Sequence, residues 1–407
     1  MKKTAILTAL AAITILTSCT DVPENVRDKS RVKQDTPAVM GDAKDYVFDR
    51  ISILKVNADA EAAINKNYSQ FEFTSGVSVS VPEIICLYDF KQVENYNSDP
   101  GAVMEHFFDR EIVNSQEFLI NDGAGLDMQN YASFLQEGQL YGAVGGNGFI
   151  SFLKPSAFAN SFAPGKKLKI YDLLSGGDIS DSYQLADKTV TVQEAAQTAL
   201  AWVEENYAPL EPDYKFRITT VIARETETGE TKLDIYAEKL LDGVPLNSLC
   251  FDKDPETHRV IGTTSTLYMQ MFRSDEIGSL TNGTGMIIPE KGEQISEIIP
   301  LSEVMSFIEA KFTDFNSKEI ISGVKLIYSM QPIYTKDDPN SDFLQVYYDE
   351  GIEFKGNLIW QLALDFPEDM LEKNPALAES GNIKKYIQVD ALTGEMHFEF
   401  ELNALIQ

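Results

Sequence analysis

The sequence predicts an α+β fold: antiparallel sheets each packed by a helix, in two repeated units that follow a β-rich N-terminal domain. Three observations carry this. Apolar residues recur at helical spacing in two stretches, Val192, Ala195, Ala196, Ala199, Val203 and Tyr207, then Leu301, Val304, Met305, Ile308, Phe312 and Phe315. Each stretch is followed by runs that alternate with period two, the mark of half-buried strands. Finally, Asp254-Pro255-Glu256-Thr257-His258-Arg259-Val260 lies over Asp390-Ala391-Leu392-Thr393-Gly394-Glu395-Met396, matching Asp, Thr and the last apolar residue at a constant offset of 136, from 254 to 390.

Lys2 and Lys3 open the chain, an apolar run from Ala5 to Leu16 follows, and Leu16-Thr17-Ser18-Cys19 closes it. The run is too short to span a bilayer and reads as a secretory signal over residues 1–18. Residues 19–44 are polar, carry Pro23 and Pro37, and read as a tether. Residues 45–186 are expected as the β-rich N-terminal domain. Ile51, Ile53 and Val56, then Phe71, Phe73, Val77, Val79 and Val81, give strand-like alternation, and Leu140 to Leu153 reads as a hairpin turning at Gly146-Asn147.

The first repeated unit spans 187–275. Thr191-Val192-Gln193-Glu194 has capping-box spacing ahead of its helix. Tyr214, Phe216, Ile218, Thr220 and Ile222 then alternate, a turn falls at ETETGE, and Leu233, Ile235 and Ala237 alternate again before Asp242-Gly243 opens a further strand. A linker over 276–299 leads to the second unit, 300–407, where alternation runs through Val324 to Met330, Leu344 to Tyr348 and Leu358 to Phe366. In the closing YIQVDALTGEMHFEF, Asp390, Thr393 and Gly394 read as turn chemistry, with Asp254 and Thr257 as their counterparts.

Leu16-Thr17-Ser18-Cys19 resembles the lipobox of bacterial lipoproteins, which implies that Cys19 becomes the lipidated N-terminus and that the protein sits on the cell membrane, lipid-anchored and facing outside the cytoplasm. The helix, the DGVPL strand and the VDALTGE hairpin resemble PepSY-type domains, and their tandem arrangement is similar to regulators of the YycH/YycI type and to the germination protein YpeB. That resemblance implies a non-enzymatic binding or regulatory module with a protein partner.

Composition narrows the partners. Removing the two leader lysines from 34 basic and 63 acidic residues leaves 32 against 63, a net charge of −31. This repels nucleic acid and anionic lipid, and no nucleic acid is expected. Cys86 and Cys250 remain as thiols in apolar, strand-like contexts, where buried free thiols are expected.

No catalytic, cofactor or metal site is expected. His106, His258 and His397 show no metal-binding pair spacing. His106 with Asp109 and Glu111, Asp252-Lys253-Asp254, and the oxygen-rich 337–342 read as wet loops or helix faces lacking the glycine and glutamate of an EF-hand. Glycines 142, 145, 146 and 148 lack the Lys-Ser/Thr of a phosphate loop, and Trp202 and Trp360 read as core. The function classes left are a membrane-anchored binding or regulatory lipoprotein, a solute- or glycan-binding lipoprotein and, behind both, a carboxylate-dependent hydrolase.

Overall fold

A computed structural model of the chain describes residues 46–108, 119–122, 131–136, 139–154, 157, 165–174, 176–247, 267–283, 285–312, 318–332, 351–366 and 385–399. Along the chain run β1 (Ile51–Ser52), α1 (Ile53–Ile64), β2 (Phe71–Phe73), β3 (Ile85–Gln92), α2 (Pro100–Met104), β4 (Leu119–Asp122), β5 (Tyr131–Gln136), β6 (Gln139–Gly145) and β7 (Ile150–Leu153). Next come β8 (Lys166–Asp172), β9 (Ser182–Gln184), β10 (Thr189–Thr191), α3 (Val192–Trp202), β11 (Lys215–Glu225), β12 (Thr231–Leu241), β13 (Val244–Asn247) and β14 (Leu267–Met271). The last elements are β15 (Ser279–Asn282), β16 (Ile287–Ile295), β17 (Glu297–Ile298), α4 (Leu301–Lys311), β18 (Glu319–Pro332), β19 (Glu353–Leu364), β20 (Lys385–Asp390) and β21 (Met396–Glu399). The fold is mixed α and β, rich in strands and poor in helices.

Two large, mostly antiparallel sheets hold most of the strands. In the first, β4, β5, β6, β7, β15, β14, β12, β11 and β8 lie side by side. In the second, β19 has β18 on one side, and β3 then β20 along the other, with β16 outside β3 and β21 outside β20. The short β13 joins them, antiparallel to β12 and parallel to β18. Asp242 and Gly243, with φ of 50° and 85°, form the left-handed turn that lets β13 fold back on β12.

Strands from the expected N-terminal domain enter both sheets: β7 pairs with β15, β8 with β11, β3 with β16 and β19, and β2 with β18. The stretch 276–299 carries β15, β16 and β17.

Local chemistry explains several differences from the sequence reading. Ile53 and Val56 belong to a helix, because Val56, Ala60 and Ala63 continue a three-to-four spacing through an alanine-rich segment and are buried by it. Val77 and Val79 lie outside any strand. The expected alternation in β11 slips at a bulge between Ile218 and Thr220, which turns Val221 and Ala223 rather than Thr220 into the core. The helix expected as far as Tyr207 is α-helical to Trp202 and closes in a π-type turn over Val203–Tyr207. Its capping box is formed: Glu194 N donates to Thr191 Oγ1 at 3.1 Å, and Thr191 N to the Glu194 carboxylate at 2.8 Å.

The buried faces of the three longer helices share one core with apolar residues of the sheets. α3 packs on β11 and β12, and α1 on α4. Leu233, Ile235 and Ala237 of β12 and Leu358, Trp360 and Leu362 of β19 are completely buried in one core, where Trp360 Nε1 donates to the carbonyl of Ile299 at 2.8 Å. Asp59 of α1 caps the start of α4 by accepting from Ser302 N at 3.0 Å and Ser302 Oγ. From α4, Glu309 accepts in turn from the backbone of Ser69 and Gln70.

Candidate functional site

Period two in β12 sends Leu233, Ile235 and Ala237 to the helices, so Lys232, Asp234, Tyr236 and Glu238 point to the opposite side. An antiparallel sheet covered by helices on one face commonly leaves the other to water. Here Lys232, Asp234 and Glu238 are nonetheless buried. Ile222, Ile327 and Ile359 are buried on the same side, apart from the main core.

At one end of this polar face, Asp234 collects its neighbours. Arg224 Nε donates to Asp234 Oδ2 at 2.6 Å, and Tyr268 OH and Gln270 Nε2 donate to Oδ1 at 3.0 and 3.1 Å. Ser279 Oγ donates to Gln270 Oε1 at 3.0 Å and extends the network across β15. Burial first, and Asp234 second, push the Tyr268 phenol well above its ordinary range. Burial also lowers the Lys232 ammonium, with Asp234, 4.0 Å away, opposing the shift.

The seam between the sheets is a three-residue ion cluster. Arg217 donates to Glu238 Oε1 through two nitrogens, Nε at 2.9 Å, while Lys325 Nζ from β18 donates to Oε2 at 2.8 Å. Glu238 has a side chain only 8% exposed, against 43% for Arg217 and 35% for Lys325. One buried carboxylate thus serves two partly wet cations. Tyr386 is pushed up to about 12, by burial and then by Glu238.

Beyond the seam, Lys325, Gln361 and Gln388 are cross-strand partners on β18, β19 and β20 and share one face. Gln388 is completely buried with neither amide atom hydrogen-bonded, and Gln361 Nε2 is likewise unsatisfied. A buried amide without a partner costs about 1–3 kcal/mol.

A second buried pair serves the core instead. Lys239, on the helix side of β12, reaches Glu211 at 2.7 Å and lies over the Tyr214 ring. Asn282 closes that region by donating to Gly148 O and Tyr207 OH.

Of the residues singled out in the sequence, Asp390 Oδ1 accepts from Leu392 N and Thr393 N, each at 2.7 Å, Thr393 Oγ1 accepts from Glu395 N, and Gly394 has φ 76°. These are turn bonds, and they lie at the end of β20, two residues beyond Gln388 on the same face. Cys19, Cys250, Asp254, Thr257, His258, the 337–342 run, Asp109 and Glu111 lie outside the described residues. Cys86 is a buried free thiol, and His106 is exposed after α2. Glycines 142 and 145 belong to β6, and the hairpin to β7 is closed by Gly148 N donating to Gly145 O at 3.0 Å. Trp202 stacks on Phe107. Among the described residues, no group of His, Cys, Asp and Glu is arranged to hold a metal, and no helix is long and apolar enough to cross a membrane.

The polar face itself escaped sequence reading. Lys232, Asp234, Tyr236 and Glu238 alternate plainly, but alternation does not reveal that Arg224, Lys325 and Gln270 converge on them from other strands.

No protein-family model and no curated protein matches the chain. A solved structure, described as an uncharacterized protein from Eubacterium rectale, is similar in fold, with a TM-score of 0.50 and 13% identity over 83% of this chain and 92% of that one.

Proposed function

We propose that this chain is a lipid-anchored, extracytoplasmic module that works without catalysis and holds a protein partner on the polar side of its joined sheets. The lipobox-like Leu16–Cys19 supports the anchor. The PepSY-like tandem reading is supported by a shared order of pairing. After α3, β12 lies between β11 and β14; after α4, β19 lies between β18 and β20. The observation that carries the proposal is the Arg217–Glu238–Lys325 cluster, which couples these two units and leaves two cations partly exposed on one surface.

The test is crosslinking in native membranes with the full lipidated chain against Arg217→Ala and Lys325→Ala variants. Capture of one protein, lost in both variants at equal folded amounts, supports the reading; equal capture by all three chains, or none, overturns it. A hydrolase would need two free carboxyl groups converging, whereas Asp234 and Glu238 are both held by cations. A second reading, a solute-binding lipoprotein, is favoured by the unsatisfied amides of Gln361 and Gln388.

A further inference from the structure

We infer that residues 46–50 form a releasable strap, seated in a socket made by α4 and the β20–β21 turn, and that its release loosens the last hairpin. The inference goes beyond the partner reading. Its test needs neither an anchor nor a partner, so it fails separately from the capture experiment.

The strap is held lightly. Tyr46 and Phe48 pack against the core, while Val47, Asp49 and Arg50 are exposed, Val47 to 88%. The two inward rings meet Phe307 of α4 edge-on, with centroids 5.2 and 5.1 Å away. Arg50 donates from Nη2 to the carbonyl of Leu392. Just after the strap, β1 pairs with β17 over two residues, Ile51 with Ile298 and Ser52 with Glu297. By contrast β11 and β12 are eleven residues each and paired along their length. A segment attached by so few contacts opens locally well before the sheets do.

The socket is shaped to the strap. A Cβ at Gly394 would fall 2.0 Å from a ring carbon of Phe48, so the bare glycine backbone gives that ring its place. Phe307 forms the wall that both rings touch, and Leu392 supplies the acceptor for Arg50. The occupant is thus read as aromatic, any, aromatic, any, arginine, which is Tyr46-Val47-Phe48-Asp49-Arg50.

The last hairpin responds because the same turn is pinned from its other side. Ala391 N donates to Leu358 O of β19 at 2.7 Å, and Ile299 N, just ahead of α4, donates to Ala391 O at 2.8 Å. Release of the strap takes the Arg50 bond from Leu392 and bares Gly394, while Ala391 stays tied to β19. Loosening is therefore confined to the turn and to β21, which pairs with β20. An anchor at Cys19 would lie 27 residues ahead of Tyr46, from 19 to 46, so a pull on it would reach the strap first.

The experiment is amide hydrogen exchange, read by mass spectrometry on the full chain in detergent. In the double variant Tyr46→Ala with Phe48→Ala, residues 390–399 are expected to exchange about tenfold faster or more, with 215–241 unchanged. Arg50→Ala, an exposed change that leaves the core intact, should speed 390–399 by about threefold. Millimolar acetyl-Tyr-Val-Phe-Asp-Arg-Ile-amide, the strap's own sequence, should restore slow exchange to the double variant. The same peptide with alanine at both aromatic positions should not. The inference is overturned if 390–399 exchanges as in the parent in both variants, or if the strap peptide restores nothing. Equal acceleration of 215–241 would overturn it as well, because the strap would then be an inseparable part of the whole fold. Should the double variant fail to fold, Arg50→Ala decides alone.

Discussion

Gly394 is where the sequence motif of the last hairpin meets the start of the folded chain. Its φ of 76° lies in the left-handed region, and a Cβ placed there would fall 2.0 Å from a ring carbon of Phe48. Phe48 is itself wedged between Tyr46 and Phe307 of α4, with ring centroids 4.6 and 5.1 Å away. Two costs should therefore appear in Gly394→Ala. The backbone cost of a left-handed residue is about 1–2 kcal/mol. Forcing extra volume into a packed contact adds roughly 1–3 kcal/mol. In a Phe48→Ala background the second cost should vanish while the first persists, giving a coupling of about 1 kcal/mol or more between the two sites. The assay is a double-mutant cycle by urea denaturation with common m-values. Equal destabilisation by Gly394→Ala in both backgrounds would refute the contact; no destabilisation in either would refute the left-handed turn as well.

Gly356→Ala on β19 should be worse than Gly394→Ala, since its Cβ would meet the Tyr88 carbonyl at 1.9 Å, a backbone atom that cannot rotate away; protease resistance of β3 is the readout, and an unchanged pattern would contradict the pairing. Asp234→Ala should destabilise by about 3–5 kcal/mol by stranding Arg224 in a buried site, and Arg224→Met with Asp234→Leu should recover only part of that loss in thermal unfolding, because Lys232, Tyr268 and Gln270 still lose their carboxylate. Asp187 is held at about 2, below its ordinary 3.8, by Ser274 Oγ and N, so its contribution to stability is present above pH 3.8 and lost as pH falls toward 2. Asp187→Asn should flatten the acid unfolding curve in that window alone.

The elements that local chemistry dictates were legible. Thr191 and Glu194 announce the cap of α3, Leu301 to Ile308 announce α4, and Gly146-Asn147 announces the turn of a hairpin. What eluded the sequence depends on distant chain. Ile51 and Ile53 alternate as a strand does, and only the continuation through Val56, Ala60 and Ala63 commits the segment to a helix beside α4. The bulge in β11 depends on register with β12, which no single strand encodes. The same holds for the candidate site. Gln388 looks like an ordinary polar alternate in YIQVD, and its burial beside Gln361 follows from the pairing of β19 with β20.

The polar face is costly in stability. Buried ion pairs are matched or bettered by apolar replacements of similar shape, and an unsatisfied amide is a net loss. A sheet whose sole task was to carry three helices would have leucines at 234, 238 and 388.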